Sequence, residues 1–395
     1  MKNQRLTIGI PKEIMEGECR VAATPETVSQ MTGQGARVLI EQGAGTGSFF
    51  SDDEYLKAGA HIAENAAAAY GNADIILKVK EPLFSIAAGC HEIDLMKSGQ
   101  YLITFLHPAS PANHQMVRNL AEKGIISISL DSIPRITRAQ SMDALTSMST
   151  VAGYKSVLVG AELLPVFMPM IGTAVGMIPP AKVLVVGTGV AGLQALATAK
   201  RLGAEVYAAD IRPDACEQAQ SLGAKIIDLE VPGDIAVGRG GYANKLPESW
   251  LIHERERLSG ITAQADIVIL SALVPGKLAP VLINSNMVGG MKVGSVIVDI
   301  AIDQGGNCEL SEGGKTIKTE GVTIVGTKNI PGMVPTSSTW MFSKNVYNLL
   351  SYILKDGKLN LDLNDEIISG ALVTHNNQIV HAGALEAMNI PIGKN

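Results

Sequence analysis

Short apolar runs alternate with stretches of helical periodicity along most of the chain. In the first third the pattern predicts strands over Leu6–Ile10, Arg37–Ile40, Asp74–Val79, Tyr101–Leu106 and Ile125–Leu130. Between them it predicts helices over Pro25–Gln34, Ser51–Tyr70 and Pro111–Lys123. Strands buried on both faces read as continuous apolar runs, so these repeats predict a doubly wound parallel sheet. A second series follows, with strands at Lys182–Gly187, Glu205–Ala209, Lys225–Leu229, Asp266–Ala272, Gly294–Ile300 and Val322–Gly326. Ahead of it, Ala139–Gly160 reads as a segregated helix. Gln140, Asp143 and Ser147 share one face with Thr146 at its edge, and Leu145, Met148 and Ala152 lie opposite. A later helix, Thr339–Lys355, carries Val346, Leu349, Leu350 and Ile353 on one face and comes too late to be a crossover of the second sheet. The chain is therefore expected to return to the first domain. The expected fold class is α/β: residues 1–138 with 336–395 as a discontinuous domain, residues 139–335 as a second, and a cleft flanked by the two.

Composition narrows this picture. A chain of 395 residues is long for one domain, and 46% apolar against 18% charged residues suits buried parallel strands. With a net charge of −6 and no basic cluster there is no electrostatic footprint for nucleic acid. Cys19, Cys90, Cys216 and Cys308 are far apart, which argues against a disulfide framework or a metal site and for a reducing, cytoplasmic setting. The start has only a four-residue apolar run before Pro11 and is not a signal peptide. Leu163–Ala181 is uncharged over nineteen residues, close to the length of a membrane span. Pro165, Pro169, Pro179 and Pro180 interrupt it, so it is read as a buried helix and loop between domains.

The most informative chemistry is at Gly187-Thr188-Gly189-Val190-Ala191-Gly192. It follows a strand, opens a helix, and precedes a second strand closed by Asp210. Gly187 allows the tight turn, Gly189 lets backbone approach a pyrophosphate, and Gly192 lets the helix pack close to the sheet. Asp210 is placed for a ribose diol and would repel a 2′-phosphate, which favours NAD(H), although Arg212 two residues on points the other way. Gly43–Ser48 imitates this loop but lacks the third glycine and is read as a turn. The long insertion between Leu229 and Asp266 contains Gly238-Arg239-Gly240-Gly241-Tyr242-Ala243, a mobile flap or a plain surface loop.

Two further constellations stand out. Arg135 and Arg138 can meet phosphate or carboxylate, Gln140 can donate to and accept from a carboxamide, Asp143 can anchor Arg135 or a ribose, and Thr146 can bond an amide. Lys80 and His107 each end a strand of the first sheet, at the edge where ligands bind in such folds. With Arg20 and Asp303 they would suit a 2-oxo acid, with His107 as general acid.

Nearly the whole chain resembles the alanine dehydrogenase and pyridine nucleotide transhydrogenase family, whose domains are Rossmann-like. PRITRAQSMDALTSMSTVAGY, PPAKVLVVGTGVAGLQALATAKRLGA, GGYA, LVPGKLAPVLI, VDIAIDQGGNCELSE and the tail LNLDLNDEIISGALVTHNNQIVH are similar to the NAD(H)-binding component of the transhydrogenase branch. The RAQSMDAL segment and the Arg239–Tyr242 insertion set that branch apart from alanine dehydrogenases. The resemblance implies that Arg135, Ile136, Thr137, Arg138, Gln140, Asp143 and Thr146 border the nicotinamide. It also implies that Val190, Asp210, Ile211 and Arg212 hold the pyrophosphate and adenosine, that Leu273 lines the pocket, and that Gly241 and Tyr242 belong to a closing loop. A homodimer is implied, docked on the cytosolic face of the inner membrane. NADP(H)-binding and membrane-spanning subunits would be its partners, and hydride would pass directly between nucleotides. This chain departs from the transhydrogenase pattern at Thr146, where Ser is usual, and at Glu254, where Gln is expected. Lys80, His107 and Asp303 match catalytic positions of alanine dehydrogenase, and GMVPTSST leans the same way. That makes NAD-dependent reductive amination of pyruvate the alternative activity; an NAD-sensing module without activity is a third reading.

Overall fold

The β-branched and leucine-rich runs form strands because they are covered on both faces. Val183, Leu184, Val185, Ile267, Val268 and Ile269 are all without solvent exposure. The computed structural model describes residues 6–238, 241–274, 277–355 and 358–390. The chain divides into two compact units, residues 1–148 with 332–395, and residues 149–331. The division falls at Met148, inside a long helix, and not at residue 138 ahead of it.

The first unit holds an eight-stranded sheet. Its order is Gln378–Ile379, Leu372–His375, Ile126–Ser129, Tyr101–Thr104, Ile75–Leu77, Thr7–Ile10, Arg37–Glu41, His61–Ala63. The chain's last two strands add to one edge antiparallel, while the strands from Ile126–Ser129 to His61–Ala63 run parallel. The order reverses about Thr7–Ile10, and ligands in such sheets bind beyond the carboxyl ends at that point. Ser51–Tyr70, expected as one helix, is instead a helix at Asp52–Lys57, a strand at His61–Ala63 and a helix at Ala66–Gly71. Gly59 at φ +92° ends the first helix, and the Asn65 side chain caps the second.

The second unit holds a seven-stranded sheet ordered Lys225–Ile226, Glu205–Ala209, Lys182–Val186, Ile267–Leu270, Val296–Asp299, Val322–Val325, Thr316–Thr319, antiparallel only at the last pair. The order reverses at Lys182–Val186, so the Gly187 loop sits at the switch point.

Two further expected elements differ from the structure. The polar-faced helix expected from Ala139 is a 3-10 helix, Thr137–Met142, broken at Asp143 before an α-helix, Ala144–Leu163. Asp143 breaks it because its carboxylate caps the new helix by accepting from the Thr146 N–H at 2.8 Å. The stretch Leu163–Ala181 is mostly exposed, with only Leu164, Met168 and Ala181 of its residues buried. After the helix it forms a hairpin, Ile171–Thr173 with Gly176–Ile178, on which Val175 is 97% and Met177 71% exposed. No helix among the described residues is long and apolar enough to cross a membrane.

Candidate functional site

In the second unit the Gly187 loop is built by close backbone packing. Gly187 has φ +87°, and a Cβ there would lie 2.6 Å from the Ala272 nitrogen. At Gly192 a Cβ would run into the Gly187 carbonyl oxygen. Behind this turn, Gly153 of the long helix lies against the Ala191 backbone so closely that a Cβ would collide with its carbonyl. The Ser271 hydroxyl donates to the Gly187 carbonyl at 2.7 Å. Ala272 is fixed in turn by buried Asn307, which accepts from its N–H at 2.9 Å and donates to its carbonyl at 2.8 Å. Gly153, Ser271 and Asn307 were not legible in the sequence, because none of them belongs to the glycine fingerprint.

Gly189 behaves differently. A Cβ there would meet only the Arg212 guanidinium, 4.0 Å away, so packing does not demand a glycine. It caps the Val190–Arg201 helix and offers no side chain to the helix's first N–H groups. Open space above the first donors of a helix N-terminus is what a pyrophosphate requires. The residues present fit a dinucleotide.

Asp210 is already engaged. One carboxylate oxygen accepts from the Thr188 N–H at 2.7 Å and from Arg212 Nη2 at 2.9 Å. The other accepts from the Arg212 N–H at 2.9 Å and its Nε at 3.0 Å. The acid thus braces the glycine loop and neutralises Arg212, beyond the expectation of a free ribose acceptor. Ile211 packs against the apolar layer formed by Leu184, Val186 and Ala209. Glu254, on the Glu248–Thr262 helix, is only 3% exposed. Burial, with a contribution from Asp210, raises its carboxyl to about 7.

The insertion contains a short helix, Gly233–Ala236, and a loop closed by a bridge between Val237 and Ala243. Gly238 N–H donates to the Tyr242 carbonyl at 2.8 Å, and Gly241 has φ +76°. Arg239 and Gly240 lie outside the described residues. Leu273, at the carboxyl end of Ile267–Leu270, is exposed.

In the first unit Arg135, Thr137, Arg138 and Gln140 are exposed, whereas Ala139 and Met142 of the same segment are buried. Asp143 and Thr146 bond to each other, the threonine hydroxyl donating to Asp143 Oδ2 at 2.6 Å, so each serves the helix start. Arg138 is held within the unit by Asp365 at 2.6 Å and Glu366 at 3.2 Å.

The other predicted cluster is assembled in part. His107, at φ +45°, directs Nδ1 to Asp131 Oδ1 at 2.8 Å and stacks on Phe105. Asp131 also accepts from the N–H groups of Leu106 and His107 and from the Ser129 hydroxyl. Burial works against both charges, but their pairing outweighs it: Asp131 falls to about 2 and His107 rises. Arg20 is buried and pairs with Glu18 at 2.5 Å, and Lys80 contributes to the field at both Glu18 and His107. Asp303 is exposed in a 3-10 turn of the second unit. Lys78, two residues from Lys80, is fully buried between Glu13 at 3.2 Å and Glu92 at 2.9 Å. Glu13 also accepts from the Val79 N–H at 2.6 Å, so this network sets the backbone that presents Lys80.

Comparison with known proteins gives consistent matches. Residues 9–152 match the N-terminal and 156–382 the C-terminal domain described as "Alanine dehydrogenase/PNT". The first part of NAD(P) transhydrogenase subunit alpha from Rhodospirillum rubrum is 45% identical over 379 residues, covering 95% of this chain and 98% of that one. The crystal structure of a transhydrogenase from Sinorhizobium meliloti aligns with TM-score 0.83 at 39% identity, over 95% of this chain and 100% of the other. A solved L-alanine dehydrogenase aligns with TM-score 0.80 at 30% identity, over 97% and 99%.

Proposed function

The chain belongs to the alanine dehydrogenase/PNT family, and from that premise we propose that it is the NAD(H)-binding subunit of a proton-translocating transhydrogenase. Hydride would pass directly between NAD(H) held here and NADP(H) held on a partner subunit. One observation supports this reading. The 137–142 segment leaves Thr137, Arg138, Gln140 and Ser141 exposed, a row of hydrogen-bonding side chains without a carboxylate. Transfer between two nicotinamide rings moves no proton at the reacting carbons, so it needs orientation more than acid–base chemistry.

The cofactor supplies the hydride; this chain supplies the grip. The first N–H groups of the Val190 helix and the turn at Gly187 take the pyrophosphate, and Asp210, Ile211 and Arg212 hold the adenosine half. Gln140 holds the carboxamide through its paired donor and acceptor, with Arg135, Ile136, Thr137 and Thr146 beside it. Gly241, Tyr242 and Leu273 close over the bound nucleotide and exclude water. Asp143, capping the long helix, fixes where this row ends. In this reading NADP(H) and the membrane-spanning part come with partner subunits, the complex facing the cytosol. A second copy of this chain covers the exposed hairpin carrying Val175 and Met177, giving a homodimer. Val175→Asp with Met177→Asp should yield a monomer in light scattering; an unchanged mass would reject that contact.

The test combines the purified chain with an NADP(H)-binding transhydrogenase subunit and follows hydride exchange. Gln140→Asn should cut the rate by about tenfold or more with NADH affinity nearly unchanged. A second reading, alanine dehydrogenase, is favoured by one observation: the Asp131-oriented His107, with Nε2 left for a substrate proton. Turnover of pyruvate, ammonia and NADH by the chain alone, lost in His107→Asn, would replace the first reading with the second.

A further inference from the structure

The 3-10 helix Thr137–Met142 is six residues long, more than such helices usually sustain alone. Its support comes from the other end of the chain. On the Pro335–Ile353 helix, Asn345 and Asn348 both donate to the Ser141 carbonyl, at 2.9 and 3.0 Å. One turn further, the Tyr352 hydroxyl accepts from Arg138 Nη1 at 2.7 Å and donates to Asp365 Oδ2 at 2.7 Å. Residues at these spacings share one helix face. Asp365 cannot drift, because its other oxygen caps the Glu366–Ala371 helix through the N–H groups of Ile367 and Ile368. The segment is therefore gripped at Arg138 and at Ser141, on either side of Gln140. Arg138 does not act as a free cation here; its charge is used to tie the segment to Asp365 and Glu366.

Resting on the transhydrogenase reading, we propose that Asn348, Tyr352 and Asp365 are positioning residues for hydride transfer, acting through Gln140 by locking the 137–142 segment in one orientation. They hold the segment without touching the nucleotide. Their effect belongs to the hydride-transfer step and not to nucleotide affinity, because that step is sensitive to small misplacements.

The experiment measures single-turnover hydride exchange and NADH binding for the full chain with an NADP(H)-binding partner subunit. Four forms are compared: wild type, Tyr352→Phe, Gln140→Asn and the double variant. Tyr352→Phe keeps the ring and removes only the bridging hydroxyl. It should slow exchange by about tenfold with the NADH dissociation constant within about twofold. The double variant should be no slower than Gln140→Asn alone, since both changes remove the same constraint. Multiplied losses, an unchanged Tyr352→Phe rate, or equal losses in rate and affinity would each overturn the proposal. A wild type that exchanges no hydride with any such partner would instead overturn the reading beneath it.

Discussion

The glycine cradle at residues 187–192 and the polar segment at 137–142 solve the same problem, holding backbone in an unusual shape, by opposite means. The cradle is held by contacts that leave no room: Gly192 against the Gly187 carbonyl, Gly187 against Ala272, Gly153 against Ala191. Its polar brace, Asp210 to Thr188, spans 22 residues. The segment is held by hydrogen bonds from side chains 204 to 228 residues away, with solvent on its outer face. A shape set by steric exclusion tolerates no added atom, whereas one set by polar clamps loses stiffness by degrees. The cradle suits a phosphate, which needs close approach to open N–H donors; the segment suits a carboxamide, which needs a paired donor and acceptor.

The hardest test of this contrast is Gly192→Ala. Its methyl would overlap a carbonyl oxygen in a turn with no slack, and overpacking of that kind costs about 1–3 kcal/mol or more. Thermal unfolding should shift down strongly and NADH binding should be lost. Gly153→Ala should do nearly as much from behind. A Gly192→Ala protein of normal stability would mean that the cradle is not held by exclusion.

The next effect depends on pH. Glu254, buried near Asp210, holds its proton up to about 7, against 4.5 for the ordinary carboxyl. Between these values the folded chain keeps a proton that the unfolded chain has released, so stability falls as pH rises through that window. The difference corresponds to about 3 kcal/mol as an upper bound. Glu254→Gln should therefore stabilise the protein at about pH 8 and leave it unchanged at about pH 4. A gain of equal size at both pH values would show that charge burial is not the cause. Gly189→Ala, by contrast, should leave stability within about 0.5 kcal/mol while weakening NADH about tenfold, roughly 1.4 kcal/mol. Equal losses in both measurements would show that Gly189 is structural like its neighbours.

The contrast also explains what could be read along the chain. Strand, glycine loop, helix, strand and acid are contiguous, so the cradle was visible in the pattern alone. Arg138 and Asp143 were visible as residue types, but their partners were not. Nothing near Arg138 announces Asp365 or Tyr352, and the His107–Asp131 pair joins the ends of two separate strands. Periodicity misled where short elements share one helical pattern: Gly59 and Asn65 punctuate Ser51–Tyr70, and Asp143 punctuates the helix expected from Ala139. The apolar run at Leu163–Ala181 was misplaced for another reason. Hydrophobicity alone does not say whether a residue lies in the core or on the surface.

The smallest effect bears on whether the polar segment is only a scaffold at its C-terminal end. Asp143 accepts from both the N–H and the hydroxyl of Thr146 and so starts the long helix. Asp143→Ala should cost about 1 kcal/mol, the usual value of an N-cap, and Asp143→Asn should recover most of it because asparagine caps equally well. Hydride exchange separates the two roles that stability alone confounds. If capping is the whole contribution, Asp143→Asn should restore the exchange rate together with the unfolding temperature. If the temperature returns but the rate does not, the negative charge acts on the nucleotide, and the segment contributes electrostatics as well as direction.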